Sequence, residues 1–273
     1  LAGVAGTGPE GRVLHADLDA ALTARAGGRT QAAPPAPRVE GAHADVKIAG
    51  LRRRIAERLA AAKRDIPHFT YVEEVDFTEL EALRARLAAA PGAAKLSPLA
   101  FVVRALVHAL GAHPECNAHW LAAEGVIRRY SSVNVGIATH TPRGLMVPVV
   151  KAVERLDVRV VGAEVERLAK AAREGTATPA ELSGSTITVT SLGALGGLAS
   201  TPILNPPEVA ILGVGRIGER PAVRGGAIVA RRMANLSASF DHRAVDGHDA
   251  AAFVAAVKRA IEAPAMLAAR FKG

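Results

Sequence analysis

One break divides this chain. Between Gly27-Gly28 and Asp45 the sequence runs through Ala32-Ala33-Pro34-Pro35-Ala36-Pro37 with no apolar periodicity. That composition specifies an extended, mobile tether rather than a packed element. Residues 23–45 are therefore read as a flexible Ala/Pro/Gly linker, residues 1–22 as a small segment ahead of it, and residues 46–273 as one patterned block without a second break. The block is long enough to close a full hydrophobic core; the leading segment is not.

Within the block, helical and strand-like spacings alternate. Leu51, Ile55, Leu59 and Ala62 recur at helical intervals with arginines opposite, and Pro67 ends that helix. Residues 68–76 read as a strand, and Thr78 with Glu81 three positions on reads as a capping box for the next helix. Ser97-Pro98 opens a helix to about Leu110. Strands are expected at 133–138 and 145–150, joined by a turn at Pro142-Arg143-Gly144, then at 186–190, 209–214 and 234–240. Helices are expected at about 158–173 and 248–261. Hydrophobic residues make up 49% of the chain but aromatics only 3%, so the core must be aliphatic and alanine-rich. The alternation implies α/β layers around a strand-built centre, with no solenoid repeat. Ahead of the tether, Gly6-Thr7-Gly8-Pro9-Glu10-Gly11-Arg12-Val13 is a glycine-rich loop, followed by a helix-like stretch at 14–22 that has Asp17 and Asp19 near its start.

No run of about 18 apolar residues exists, so no membrane span is expected. The first residues lack the basic and apolar regions of a signal peptide, and without an initiator Met the chain is expected to be part of a longer protein. Its one cysteine, Cys116, excludes an intrachain disulfide and fits a reducing cytosol. A net charge of +8 suits attraction to an anion, or simply a solvated surface. Nucleic acid is disfavoured, because the basic residues are scattered and few aromatics are present to stack on bases.

Two segments could carry chemistry. His242 follows a strand-like run and precedes Gly247, in Asp241-His242-Arg243-Ala244-Val245-Asp246-Gly247. A histidine near its reference pKa can accept and return a proton at neutral pH, and Asp246, four residues on, could orient the loop. A bare H-x-x-x-D is common by chance, so a surface turn is the competing reading. Thr188-Val189-Thr190-Ser191-Leu192-Gly193 ends a β-rich run in hydroxyls, one of which could donate to a developing oxyanion. The P-loop lysine and the dinucleotide spacing are both missing there.

Together these segments become specific. Ser237-Ala238-Ser239-Phe240 followed by the His242 heptapeptide resembles the active-site signature of the dihydrolipoamide acyltransferases, the E2 components of 2-oxo-acid dehydrogenase complexes. Residues 201–214, beginning Thr201-Pro202-Ile203-Leu204-Asn205-Pro206-Pro207-Glu208, look like the same family, as do Gly50-Leu51-Arg52-Arg53-Arg54-Ile55-Ala56 and Gly144-Leu145-Met146-Val147-Pro148. The matches keep the family's order and span about 46 to the end. Residues 6–13 resemble the second half of the family's peripheral-subunit-binding domain. That domain's first helix is not found in this sequence, nor is a lipoyl domain with its lysine-bearing turn.

The resemblance implies an α/β, chloramphenicol-acetyltransferase-like two-layer sandwich of a mixed sheet and helices, with 46–273 as the catalytic and core-forming domain. It implies direct acyl exchange between dihydrolipoamide, carried on a lipoyl domain, and coenzyme A. His242 is then the general base, Thr190 the hydrogen-bond donor to the oxyanion, and Asp246 a structural residue salt-bridged to Arg52, with Arg53 as the alternative. His68 and His140 fall on no catalytic motif of the family, and Cys116 is read as a packing residue. The family places its sites between subunits of a homotrimer, with eight trimers in a cubic core. It also implies E1 and E3 partners held by the peripheral-subunit-binding domain, and a bacterial cytosolic location. Residues 66–76 look most like the branched-chain branch, with acetyl second and succinyl third. The rivals are a chloramphenicol-acetyltransferase-like enzyme and a non-catalytic core or binding protein.

Overall fold

The computed structural model describes residues 4–27, 41, 43–89 and 96–268. They divide between Lys47 and Ile48 into two units. In the first, a loop turns through Glu10 and Gly11, both at positive φ, into helix α1 (His15–Gly27). The Asp17 carboxylate accepts from the Thr7 backbone N–H (2.9 Å), the Thr7 hydroxyl (2.7 Å) and the Leu14 N–H (2.9 Å), so one side chain pins the loop to the helix start. The helix runs five residues past Leu22 into the zone expected to be tether. Residues 28–40 and 42 of that tether lie outside the described residues.

The second unit contains α2 (Gly50–Asp65), β1 (His68–Asp76), α3 (Thr78–Ala88), α4 (Pro98–Leu110), β2 (Ala118–Leu121), β3 (Val126–Arg129), β4 (Val135–Thr141), β5 (Gly144–Met146), β6 (Val149–Val150), α5 (Val158–Glu174), β7 (Ile187–Ser191), β8 (Ala210–Val214), β9 (Gly218–Arg224), β10 (Ala227–Asp241) and α6 (Gly247–Glu262). The main sheet runs β1-β10-β8-β7-β4-β5, with β6 beside β4 and β9 beside β10. Strands β4, β7 and β8 are parallel to one another and every other pairing is antiparallel. This is the mixed-sheet α/β sandwich expected from the sequence.

The period-2 alternation of the strands gives the sheet two unlike faces. Ile187 and Val189, Ala210, Leu212 and Val214, and Leu236, Ala238 and Phe240 join one aliphatic core with α4, α5 and α6. Helix α4 is apolar on nearly all sides, and residues 100–107 are all buried, as a central helix requires. The alternate positions, Thr188, Thr190, Gly213, Ser237 and Ser239, are small or hydroxyl-bearing. Ile211 on that face packs with Ala62 and Ile66 at the end of α2 and with Leu204.

Several elements depart from expectation. The single strand expected at 145–150 is two, because Pro148 cannot continue the ladder. Both pieces pair with β4, at opposite ends. Thr78 does not cap α3: the N-cap is Phe77, the Thr78 N–H goes to Asp76 Oδ1 (3.0 Å), and the Thr78 hydroxyl accepts from Arg232 N–H (2.9 Å). Strand β10 extends seven residues further back than expected and pairs there with β9, which had no sequence counterpart. The β2–β3 hairpin was also unforeseen.

Candidate active site

Strand β10 ends at Asp241, opposite His68 at the start of β1. The His242 N–H donates to the Pro67 carbonyl (3.1 Å), and the N–H groups of Ala244 and Val245 both return to the Asp241 carbonyl (2.9 and 3.0 Å). The chain thus makes a tight turn and enters α6, whose N-cap is Asp246. Inside the turn, the Asp241 carboxylate is only 1% exposed. It accepts from Arg243 Nε (2.9 Å), Nη2 (2.7 Å) and backbone N–H (3.0 Å). The Arg243 guanidinium in turn lies over the Trp120 ring, 4.6 Å from its centroid. This internal clamp fixes the loop from behind and leaves the His242 side chain 53% exposed at its tip.

The His242 ring lies against Phe69, with centroids 4.6 Å apart. Its Nδ1 is 3.8 Å from Asp246 Oδ1, beyond hydrogen-bond reach. The expected bridge from Asp246 to Arg52 is not formed within the chain: Arg52 is exposed on α2, and its alternative Arg53 pairs with Glu57 at 2.8 Å. In the single chain Asp241, Arg243 and Trp120 hold the loop, not Asp246.

Thr190 sits on β7 between Ala138 of β4 and Gly213 of β8. It opens onto a cavity of about 190 Å³ also lined by Gly196, Gly197, Ser200 and Pro202. Gly213 keeps this corner open, since a Cβ there would meet Ser200 Oγ at 3.0 Å and the Ser237 carbonyl at 3.1 Å. Two residues before Thr190, the Thr188 hydroxyl donates to Glu208 Oε2 (2.6 Å), while Ser185 and Asn205 donate to Oε1. Burial raises the Glu208 pKa above its ordinary value, against these donors and Arg58. Glu208 thereby ties β7 to the Pro206-Pro207 turn, and the residue after it, Val209, accepts the Asp241 N–H through its carbonyl.

His242 and Thr190 do not meet in one chain. Thr190 is level with Gly213 of β8, whereas Asp241 is level with Val209. Four rises of about 3.3 Å and two strand spacings of about 4.8 Å leave the backbones of Thr190 and Asp241 roughly 16 Å apart, and His242 is the next residue beyond Asp241. The other sequence candidates lie outside these two segments. His68 receives the Leu204 N–H at Nε2 (3.0 Å), so Nδ1 carries the proton toward the Ile66 carbonyl (2.9 Å). His140 is exposed on β4. Cys116 is fully buried, which pushes its thiol pKa up and away from nucleophilic use. Among the described residues no helix is long and apolar enough to cross a membrane, and no three His, Cys, Asp or Glu side chains group as a metal site.

Sequence reasoning missed Phe69, Trp120, Arg243 and Glu208 as site-shaping residues. The signals were faint: Glu208 and Arg243 lay inside quoted motifs, and Trp120 is the one tryptophan of the chain.

Comparison with known proteins gives consistent matches. Residues 40–269 match the 2-oxoacid dehydrogenases acyltransferase (catalytic domain) family. The chain is 54% identical, over 97% of its length, to the lipoamide acyltransferase component of the branched-chain alpha-keto acid dehydrogenase complex of Pseudomonas aeruginosa, and spans 62% of that protein. The dihydrolipoamide acetyltransferase of Azotobacter vinelandii superposes with a TM-score of 0.80 at 33% identity, covering 86% of this chain and 99% of that one. The cubic core of a pyruvate dehydrogenase multienzyme complex superposes equally well (TM-score 0.80, 34% identity, 86% and 99% covered).

Proposed function

Since this chain belongs to the 2-oxoacid dehydrogenases acyltransferase family, we propose that it transfers an acyl group, branched-chain by preference, between dihydrolipoamide and coenzyme A. The observation that carries the reading is the His242 loop. It presents a half-exposed imidazole, with neither ring nitrogen hydrogen-bonded among the described residues, on a turn clamped from behind. A free thiol has its pKa above neutrality, so the attacking sulfur needs a base. His242 takes the proton from the coenzyme A thiol, and the thiolate attacks the acyl-lipoyl carbonyl. The Thr190 hydroxyl donates to the oxyanion. As the carbon–sulfur bond to the lipoyl group breaks, His242 returns the proton to the departing sulfur. One thioester forms, one breaks, and no acyl-enzyme is required.

The study of the A. vinelandii enzyme concerns the catalytic role of a serine, a histidine and an asparagine. These stand 52 and then 4 residues apart, which is the spacing of Thr190, His242 and Asp246 here. This supports the two catalytic roles and leaves Asp246 as a residue that shapes the loop, with Arg52 of a neighbouring copy as its salt-bridge partner. The separation of His242 from Thr190 within one chain favours a site shared between two copies. A homotrimer at minimum, with eight trimers in a cube, fits both that separation and the likeness to a cubic core.

Residues 46–273 form the catalytic and core-forming domain. The leading segment contributes to docking of E1 and E3, and the complex works in the bacterial cytosol. The test compares isobutyryl-, acetyl- and succinyl-coenzyme A as donors to free dihydrolipoamide. Isobutyryl should be fastest, and a clear preference for acetyl overturns the branched-chain assignment. Acetylation of chloramphenicol with no response to dihydrolipoamide overturns the reaction itself.

A further inference from the structure

Aromatic side chains are scarce here, with six phenylalanines in 273 residues. Three of the six stand in one column beneath His242. The His242 ring lies 4.6 Å from Phe69 with the planes tilted by 49°, Phe69 stacks on Phe240 at 5.4 Å and 29°, and Phe240 meets Phe253 edge-on at 6.1 Å and 86°. Phe240 and Phe253 are fully buried, in the β10 and α6 layers of the core, so the base of the column is rigid. Phe69 itself is placed by the β1–β10 ladder, where it pairs with Phe240, one register step from the His68–Asp241 pair and beside the Pro67 carbonyl that receives the His242 N–H.

The top of the column matters because His242 has little else to orient it. Its backbone is held, but among the described residues neither ring nitrogen makes a hydrogen bond, and Asp246 stays 3.8 Å away. An imidazole on a half-exposed loop tip, held only through its backbone, samples several rotamers. A proton transfer needs the ring nitrogen within hydrogen-bond reach of the sulfur, and a displacement of about 1 Å can cost on the order of 10²-fold in rate.

We infer that Phe69 is a positioning residue for His242: its ring, braced by Phe240 and Phe253, is the tilted contact that limits the rotamers of the imidazole that the acyl transfer uses. A flat aromatic surface restricts a neighbouring ring in a way that an aliphatic side chain of similar volume does not. The ring, more than its bulk, is therefore what the site needs.

This inference rests on His242 being the base, so the experiment carries both. Acyl transfer from isobutyryl-coenzyme A to dihydrolipoamide is measured on the assembled protein for the wild type, Phe69→Leu, Phe69→Tyr and His242→Ala. Phe69→Leu should lower kcat about tenfold or more, with KM for the coenzyme A thioester changed less than twofold. Phe69→Tyr, which keeps the ring, should recover most of the loss. A crystal structure of Phe69→Leu should show the imidazole in more than one rotamer on an unchanged backbone. If Phe69→Leu does not assemble, Phe69→Met, unbranched and accommodating, replaces it with the same expectation. Wild-type kcat in the aliphatic variant, or an equal loss in Phe69→Tyr, overturns the inference while an inactive His242→Ala leaves the base assignment standing. An active His242→Ala overturns both.

Discussion

Glu208 is where fold and site are most tightly coupled, and its removal has a calculable cost. The side chain is almost wholly buried and collects three donors, Ser185 and Asn205 on one oxygen and Thr188 on the other. Glu208→Ala leaves all three without their acceptor. At about 1–3 kcal/mol for each buried group left unmade, less what Asn205 and Ser185 regain by turning elsewhere, the loss should be about 3–5 kcal/mol. Glu208→Gln keeps the oxygen that serves Ser185 and Asn205 and obliges the Thr188 hydroxyl to rotate and accept, at a cost of about 1 kcal/mol.

The pH dependence has a definite sign. Burial holds the folded pKa above the ordinary glutamate value, so between the two the folded state binds more protons than the unfolded one. Stability therefore falls as pH rises through that window and is fully kept below the ordinary value. The wild type should lose ground to Glu208→Gln as pH rises, while the gap between the Gln and Ala variants stays level. The assay is urea unfolding at fixed subunit concentration across this pH range, since assembly makes the midpoint concentration-dependent. An Ala variant within about 1 kcal/mol of wild type, or a flat wild-type–Gln difference, refutes the reasoning.

Thr190→Ala should lower kcat by about 10²–10³-fold in steady-state acyl transfer, as loss of one oxyanion donor does, while Thr190→Ser stays near wild type. Arg243→Gln strips the guanidinium from the buried Asp241. Of the roughly 3–5 kcal/mol typical for breaking a buried pair, about 2 should remain, because a third of the Arg243 side chain is exposed. Trp120, the single tryptophan, loses the cation stacked on it, so its emission should shift; unchanged emission contradicts the clamp. For Asp76, burial works to raise the pKa, but Thr78, Arg231 and Arg224 outweigh it and hold the carboxyl well below the usual range. Its stabilisation is present above the ordinary aspartate pKa and lost as pH falls below it. Asp76→Asn should flatten that acid limb in thermal unfolding.

The elements that the sequence disclosed are those whose pattern is local. β1 was read at its true bounds because Pro67 stops α2 and the following residues alternate. α4 was read because Ser97-Pro98 marks the start of a continuously apolar run. The β9–β10 ribbon was hidden because arginines interrupt its alternation. Arg224 and Arg231 reach Asp76, and Arg220 reaches Glu74, about 150 positions back in the chain. No local window shows that compensation. At the site, the His242 loop and Thr190 were legible as motifs. The tilted packing of Phe69 against His242 and the stacking of Arg243 on Trp120 depend on strand register and on a hairpin with too little hydrophobic signal to predict. The Asp246–Arg52 pairing could not be tested by spacing, since it joins residues far apart in the sequence.

The central claim is that His242 of one copy and Thr190 of another act on the same thioester, because one chain holds Asp241, the neighbour of His242, roughly 16 Å from Thr190. Co-expression of His242→Ala with Thr190→Ala, each tagged so that mixed assemblies can be isolated, tests it directly. Each variant alone should be nearly inactive. In trimers mixed at random, one site of three in every hybrid regains both groups, so about a quarter of wild-type turnover should return. Activity no greater than the sum of the two parents would contradict the shared site.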